Sequence, residues 1–193
     1  MLATALQLVD EQGLGKLSMR RLGEALGVEA MSLYRYVTHK QDLLDGVHGA
    51  VLDEVVPPES SADWEARLRA LSHAFRDALM RHPKTLPLFA TRPAVAPSSL
   101  SLVDAALGIL DEAGLPADEQ LGALHALVAF IVGSCQAYAA WDDPEQPEVD
   151  YAALPAAYSN LRRLAPQIAV EDPDLEFAQG LELWIAGLRT RLR

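Results

Sequence analysis

The feature that most restricts this chain is the spacing of its apolar residues. They recur three and four positions apart almost from end to end, and no stretch sustains the apolar-polar alternation with β-branched enrichment that a half-buried strand needs. The chain is therefore predicted to be all-α, with glycine and proline marking the breaks. Leu2, Leu6 and Val9 followed by Gly13 read as a first helix and its stop. Ser18 stands where an N-cap belongs, ahead of Leu22, Ala25 and Leu26, and Gly27 closes that short second helix. A third helix is expected from Glu29 to Tyr36 and a fourth from Lys40 to Val56, halted by Pro57 and Pro58.

Beyond that break, Trp64, Leu68, Leu71, Phe75 and Leu79 mark a long amphipathic helix closing at His82-Pro83. A proline-spaced stretch follows, with Pro83, Pro87, Pro93 and Pro97, to which no helix is assigned. Ser98 and Ser99 are placed to cap the next helix, which runs to Gly114, and Pro116 opens another. Residues 121–141 contain no Asp, Glu, Lys or Arg. A membrane span requires about 20 strongly apolar residues, whereas this run holds His125, Gly133, Ser134 and Gln136, so it is read as a buried or interface helix and no membrane partner is expected. Residues 142–150 are acidic and proline-broken, a loop. Two further helices are expected near 155–165 and 172–192. The division is a small N-terminal domain, 1–56, and a larger helical one, 57–193.

Composition narrows the function. The single cysteine, Cys135, precludes an intramolecular disulfide and suits a reducing cytoplasm. Asp10 and Glu11 arrive too early for a signal peptide. The net charge of -11 argues against a generally basic, nucleic-acid-coating surface. Its distribution points the other way: from Lys16 to Lys40 there are five basic residues (Lys16, Arg20, Arg21, Arg35, Lys40) against two acidic ones, Glu24 and Glu29. Such asymmetry suits a protein that meets phosphate at one end.

That basic end has the plan of a helix-turn-helix, in which a short helix and a tight turn present a second helix to the major groove. In SMRRLGEALGVEAMSLYRYV, Leu22, Leu26, Val28, Leu33 and Val37 are spaced to pack the pair on its neighbours. Glu29, Ala30, Ser32, Tyr34, Arg35 and Tyr36 are left for the groove and its walls. An ordinary αα-hairpin has the same pattern. Specificity comes from the longer string ALQLVDEQGLGKLSMRRLGEALGVEAMSLYRYVTHKQDLL, which resembles the N-terminal domain of the tetracycline-repressor family. The shared features are LVDEQG ending helix one, a small hydroxyl residue and then Arg before Leu-Gly, the Gly27-Val28 turn, Leu33-Tyr34, and Lys40 followed by Asp42-Leu43-Leu44. RHP at 81–83 and TRP at 91–93 extend the resemblance into the C-terminal part.

The resemblance implies a ligand-responsive transcriptional regulator, most simply a repressor and not an enzyme, that binds a near-palindromic operator as a homodimer. It places Ser18 and Arg20 near DNA from the second helix, Ala30 and Ser32 over bases, and Tyr34, Tyr36 and Lys40 at phosphates or groove edges. Arg forks onto guanine, while hydroxyls and Lys position the backbone. Glu29 either accepts from cytosine or stabilises its helix N-terminus, the latter being favoured. Arg21 and Arg35 are as readily solvated or internally paired. Many relatives carry basic residues before helix one, and here such an arm either precedes the given sequence or is dispensed with.

The resemblance also implies a cavity under helix four. At the positions that hold a magnesium-tetracycline complex in relatives, this chain has Val56, Leu71 and Leu88, and aliphatic carbon neither ligates a hard cation nor orients a polyol. Phe75 and Thr91 are kept, and Phe130, Cys135, Tyr138 and Trp141 are further lining candidates that serve equally as core. The expected inducer is mostly apolar and bound without metal or cofactor. Catalytic signals are weak: His48 follows Asp45 by three without a second such pair, His73, His82 and His125 are isolated, and no glycine-rich phosphate loop appears. The dimer is expected from two stripes, Leu175, Ala178, Leu181, Ile185, Leu188, Leu192 and Leu121, Leu124, Val128, Ile131, Cys135, Tyr138, each of which could instead face its own core. The competing reading is an all-helical ligand-binding protein or enzyme that has lost DNA binding.

Overall fold

A computed structural model describes residues 1–56, 63–92, 95–141, 149–170 and 172–192, apart from the side chains at 98, 140 and 141. Every regular element among the described residues is helical, as the periodicity predicts. The first four are α1 (Leu2–Gln12), α2 (Met19–Leu26), α3 (Ala30–Leu33) and α4 (Lys40–Leu52). Gly13 ends α1 at φ 81° and Gly27 ends α2 at φ 68°, conformations that cost a residue with a Cβ. Ser18 caps α2 as expected, its Oγ accepting from the Arg21 N–H at 3.3 Å. Their apolar faces, with Ala5, Val9, Leu22, Leu33, Leu43 and Val47, close a small core.

Two boundaries differ from expectation. α3 spans one turn, because Tyr36 N–H already donates three residues back to the Leu33 carbonyl and Val37 turns inward to be buried. α4 stops at Leu52, not Val56: Glu54 and Val55 donate to Val51 and Leu52, an overwound last turn. The residue before a proline disfavours the α conformation, so the unwinding precedes Pro57, which lies outside the described residues.

The larger part comprises α5 (Trp64–Arg81), α6 (Leu86–Thr91), α7 (Pro97–Glu112), α8 (Ala117–Trp141), α9 (Ser159–Ile168) and α10 (Pro173–Arg189). The unforeseen α6 forms within the proline stretch because Pro87 falls in its first turn, where the missing N–H has no partner to lose. Ser99 does not cap α7. That helix opens with Pro97, and Ser99 is buried inside it. Of the acidic loop, residues 142–148 lie outside the described part.

By length and composition α8 is apolar enough to cross a membrane, and 28% of its most apolar window is buried. Leu124, Leu127, Ile131 and Cys135 face the chain's own core, and Phe177, Leu181, Ile185 and Leu188 of α10 meet them there. The two expected dimer stripes are thus mostly internal. α8 turns outward a row of small residues, Gly122, Ala126, Ala129, Gly133 and Ala137, along with Leu121, His125 and Gln136, and α10 exposes Leu175 and Leu183.

Candidate nucleic-acid interface and ligand cavity

Gly23 sets the geometry of the helix-turn-helix. A Cβ there would lie 2.7 Å from the Val28 carbonyl oxygen and 3.2 Å from the Ala30 nitrogen, so the backbones of α2 and α3 approach as only glycine permits. The Val28 N–H closes the turn by donating to the Gly23 carbonyl at 3.0 Å. Outward from this frame stand Met31 and Tyr36, each 73% exposed, with Val28, Tyr34 and Arg35 beside them. Met31 was not singled out in the sequence, and Val28, expected to pack with Leu22, Leu26, Leu33 and Val37, is instead exposed.

The residues predicted to meet DNA divide into two sets. Arg20, Tyr34, Tyr36 and Lys40 are exposed on this end of the molecule, Arg20 in an ion pair with Glu24 at 3.0 Å. Lys16, Arg35 and Lys40 form no ion pair among the described residues. Ser18, Ala30 and Ser32 are half-buried: Ser18 is engaged as a cap, Ala30 packs on the core, and Ser32 Oγ donates to the Glu29 carbonyl at 2.6 Å. At the start of α4, the Thr38 N–H donates to Asp42 Oδ2 at 2.8 Å and His39 Nδ1 sits 2.9 Å from Oδ1. Desolvation of Asp42 is outweighed by these partners, and its carboxyl is held below its ordinary range.

Polar contacts tie this end to the larger part. His82 bridges two carboxylates, Nδ1 to Asp10 Oδ2 at 2.8 Å and Nε2 to Glu54 Oε1 at 2.9 Å. Lys84 Nζ donates to the carbonyls of Asp10 and Glu11 at the end of α1, and Arg81 pairs with Glu54 at 2.8 Å. Farther along α4, Arg92 reaches Asp45 and the side chain of Gln41, and donates to the Gln41 carbonyl at 3.3 Å.

Behind α4 lies a cavity of about 310 Å³. α4 contributes His48 and Leu52, α5 adds Leu71, Ser72 and Phe75, α6 adds Phe89, and apolar residues of α7 and α8 complete the wall. His48 is buried with its ring 4.4 Å from that of Phe89. Burial, assisted by Arg92 and opposed by Asp45, lowers its pKa, so the imidazole is uncharged at neutral pH. Arg92 is the one Asp, Glu, Lys or Arg among the described residues of the wall. Ser72 Oγ is satisfied by the Leu68 carbonyl at 2.7 Å, whereas Ser99 Oγ is buried with no hydrogen-bond partner among the described residues. An unpaired buried hydroxyl costs about 1–3 kcal/mol.

Of the predicted ligand residues, Leu71 and Phe75 line this cavity. Val56 is 75% exposed beyond the end of α4. Leu88 is buried in the core away from the wall, and exposed Thr91 donates its hydroxyl to the Pro87 carbonyl at 2.8 Å. Phe130 stacks on Phe177 with centroids 5.4 Å apart, and Tyr138 donates to Glu176 at 2.9 Å, so both join α8 to α10 instead of facing the cavity. The Trp141 side chain lies outside the described residues. Cys135 is buried, which pushes its thiol up to about 11 and leaves it unreactive. No grouping of three or more His, Cys, Asp or Glu suited to a metal occurs among the described residues.

A family model described as bacterial regulatory proteins, tetR family, matches residues 1–47, and one described as tetracyclin repressor-like, C-terminal domain, matches residues 56–192. The chain belongs to the tetracycline-repressor family. It is a DNA-binding, ligand-responsive transcriptional regulator of the repressor type, and its helix-turn-helix and larger helical domain are the two parts of that fold. It is 35% identical over 192 residues to the class C tetracycline repressor of Escherichia coli, covering 96% of this chain and 87% of that one. An HTH-type transcriptional regulator of Saccharopolyspora erythraea is 30% identical over 192 residues, with 96% and 81% covered. The crystal structure of the Streptomyces coelicolor TetR family protein ActR in complex with actinorhodin superposes with a TM-score of 0.86 at 29% identity, covering 98% of this chain and 94% of that one.

Proposed function

We propose that this regulator works as a homodimer on a near-palindromic operator and leaves it when a mostly apolar small molecule occupies the cavity behind α4. The observation that carries the reading is that α4 is both the floor of the DNA-reading end, through Lys40, and a wall of the cavity, through His48 and Leu52. A ligand pressing on His48 pushes the same rigid helix whose first turn faces phosphate. Met31, Tyr34, Tyr36, Arg35, Arg20 and Lys40 form the reading surface, and Ser18, Ala30 and Ser32 act chiefly by holding α2 and α3 in place. The domains divide at 1–56 and 57–193.

A wall of mostly aliphatic and aromatic residues favours ring systems or acyl chains over sugars and nucleotides. Two chains pair through the outward faces of α8 and α10, small residues of α8 permitting close helix approach and Leu175 and Leu183 supplying apolar area. This pairing covers the exterior of α8 with protein instead of lipid, in keeping with a cytoplasmic regulator. Two reading helices then face successive major grooves about 34 Å apart. No enzymatic step is assigned.

The test is a labelled DNA fragment from beside the regulator's own gene. Binding that is tighter than to random DNA of equal length, falls steeply with salt, and is reversed by ring compounds that thermally protect the protein, with or without EDTA, is the expected result. Equal binding to random DNA, or release only when magnesium is present, contradicts the reading.

A further inference from the structure

Among the described lining residues the polar ones are His48, Ser72, Arg92, Ser99 and His125, and Arg92 and His48 lie close enough to influence one another beside α4. Three facts about these residues are independent. Arg92 is the one Asp, Glu, Lys or Arg among the described lining residues, it is largely buried, and its guanidinium is committed to Asp45 and Gln41 of α4. His48, beside it, is uncharged and adds no second cation. Ser99 Oγ is fully buried and without a partner among the described residues. A purely apolar occupant would leave that hydroxyl unsatisfied and make no use of the guanidinium.

We infer that the ligand of this cavity is an apolar acid, a ring or acyl body bearing one anionic oxygen group, whose anion takes Arg92 away from Asp45 while Ser99 donates to it. The inference rests on the cavity being the ligand site. It adds the chemical class of the ligand and the contact that it breaks. One guanidinium nitrogen of Arg92 serves Asp45 and the Gln41 carbonyl and the other the Gln41 side chain, so an anion that takes both donors of the fork displaces Asp45 and Gln41 together. Exchange of one anion for another at Arg92 keeps the buried cation paired, and it frees α4 from its tie to the C-terminal end of α6. Asp45 repels the incoming anion as long as α4 stays put, so anion binding and movement of α4 are coupled.

Two fluorescent probes separate the terms, because they differ by one group: 8-anilinonaphthalene-1-sulfonate, whose sulfonate stands in for the anionic oxygens, and N-phenyl-1-naphthylamine, which lacks it. Both are titrated into the full chain and into Arg92→Met, Asp45→Asn and Ala106→Trp, the last filling the cavity from α7. The sulfonate is expected to bind the wild type about tenfold or more tighter than the neutral probe, as a charge-assisted pair implies. Arg92→Met removes that preference while leaving the neutral probe within about twofold. Asp45→Asn, which removes the competing anion without touching the cavity, tightens the sulfonate alone, and it decides the matter even if Arg92→Met folds poorly. Equal affinity for the two probes, or a preference unchanged in Arg92→Met and Asp45→Asn, overturns the acid-ligand inference and leaves the cavity reading standing. Binding of both probes unaffected by Ala106→Trp, or no binding of either, overturns the cavity reading and the inference with it.

Discussion

Replacing Gly23 by alanine tests how the reading surface is built. The added methyl would sit 2.7 Å from the Val28 carbonyl oxygen, whereas real Cβ contacts essentially never fall below 3.0 Å, and all three nearest atoms are backbone. Nothing flexible can yield, so the turn between α2 and α3 must open by a few tenths of an ångström. Overpacking of this kind costs about 1–3 kcal/mol, against which alanine gains about 1 kcal/mol over glycine in a helix. The net expectation is a loss of up to about 2 kcal/mol in urea unfolding. The loss of DNA affinity should be larger than that modest destabilisation suggests, because α3 is displaced from the groove. Gly15→Ala is the control: a Cβ there meets nothing within 4 Å and its φ is not positive, so stability and DNA binding should be unchanged. Gly23→Ala binding DNA as tightly as the wild type, with an unshifted urea midpoint, would refute the claim that backbone contact sets the α2–α3 angle.

Other expectations follow from named contacts. In anisotropy titrations, Lys40→Ala weakens binding to all DNA sequences alike and lowers the salt slope by about 1, whereas Arg20→Ala costs about 1–3 kcal/mol on the operator if Arg20 leaves Glu24 to read a base. Leu183→Glu places a charge on the most exposed large apolar residue of α10, so the sedimentation mass should fall from twice 20.9 kDa to a single chain with the helical spectrum retained. Desolvation of Glu54 is outweighed by Arg81 and His82, and its carboxyl is depressed below the ordinary 4.5. The folded value lies under the unfolded one, so Glu54 contributes stability in full above about pH 4.5 and loses it as pH falls through the depressed value. Glu54→Gln should accordingly lower the melting midpoint at neutral pH and flatten its decline in acid.

Much of this was legible in the sequence, and the misses have physical causes. Glycine, serine and proline punctuation places α1, α2 and α5 closely, because caps and breaks are local. α6 escapes such reading because a proline in a first turn looks like a proline in a loop. The α8 and α10 stripes were left open between seam and core because large apolar residues mark a core without saying whose core it is. The outward face of α8 is small instead of hydrophobic, which periodicity does not score. The polar cavity residues were hidden for a different reason. Ser99 reads as a cap, His48 as half of an incomplete metal pair with Asp45, and Arg92 as one letter of the TRP string, and no spacing links Arg92 to Asp45 across 47 residues.

The central claim is that cavity and DNA-reading surface share one equilibrium through α4, and calorimetry on a single compound tests it most directly. The compound is the first ring-bearing molecule that displaces the naphthalene probe from the wild type but fails to bind Ala106→Trp. Its affinity is measured for the free protein and for the protein saturated with the promoter fragment, and the fragment's affinity is measured with and without saturating compound. The account predicts that DNA weakens the compound by the same factor as the compound weakens DNA, a coupling of about 1–3 kcal/mol. Identical compound affinity in the free and DNA-bound protein would contradict it.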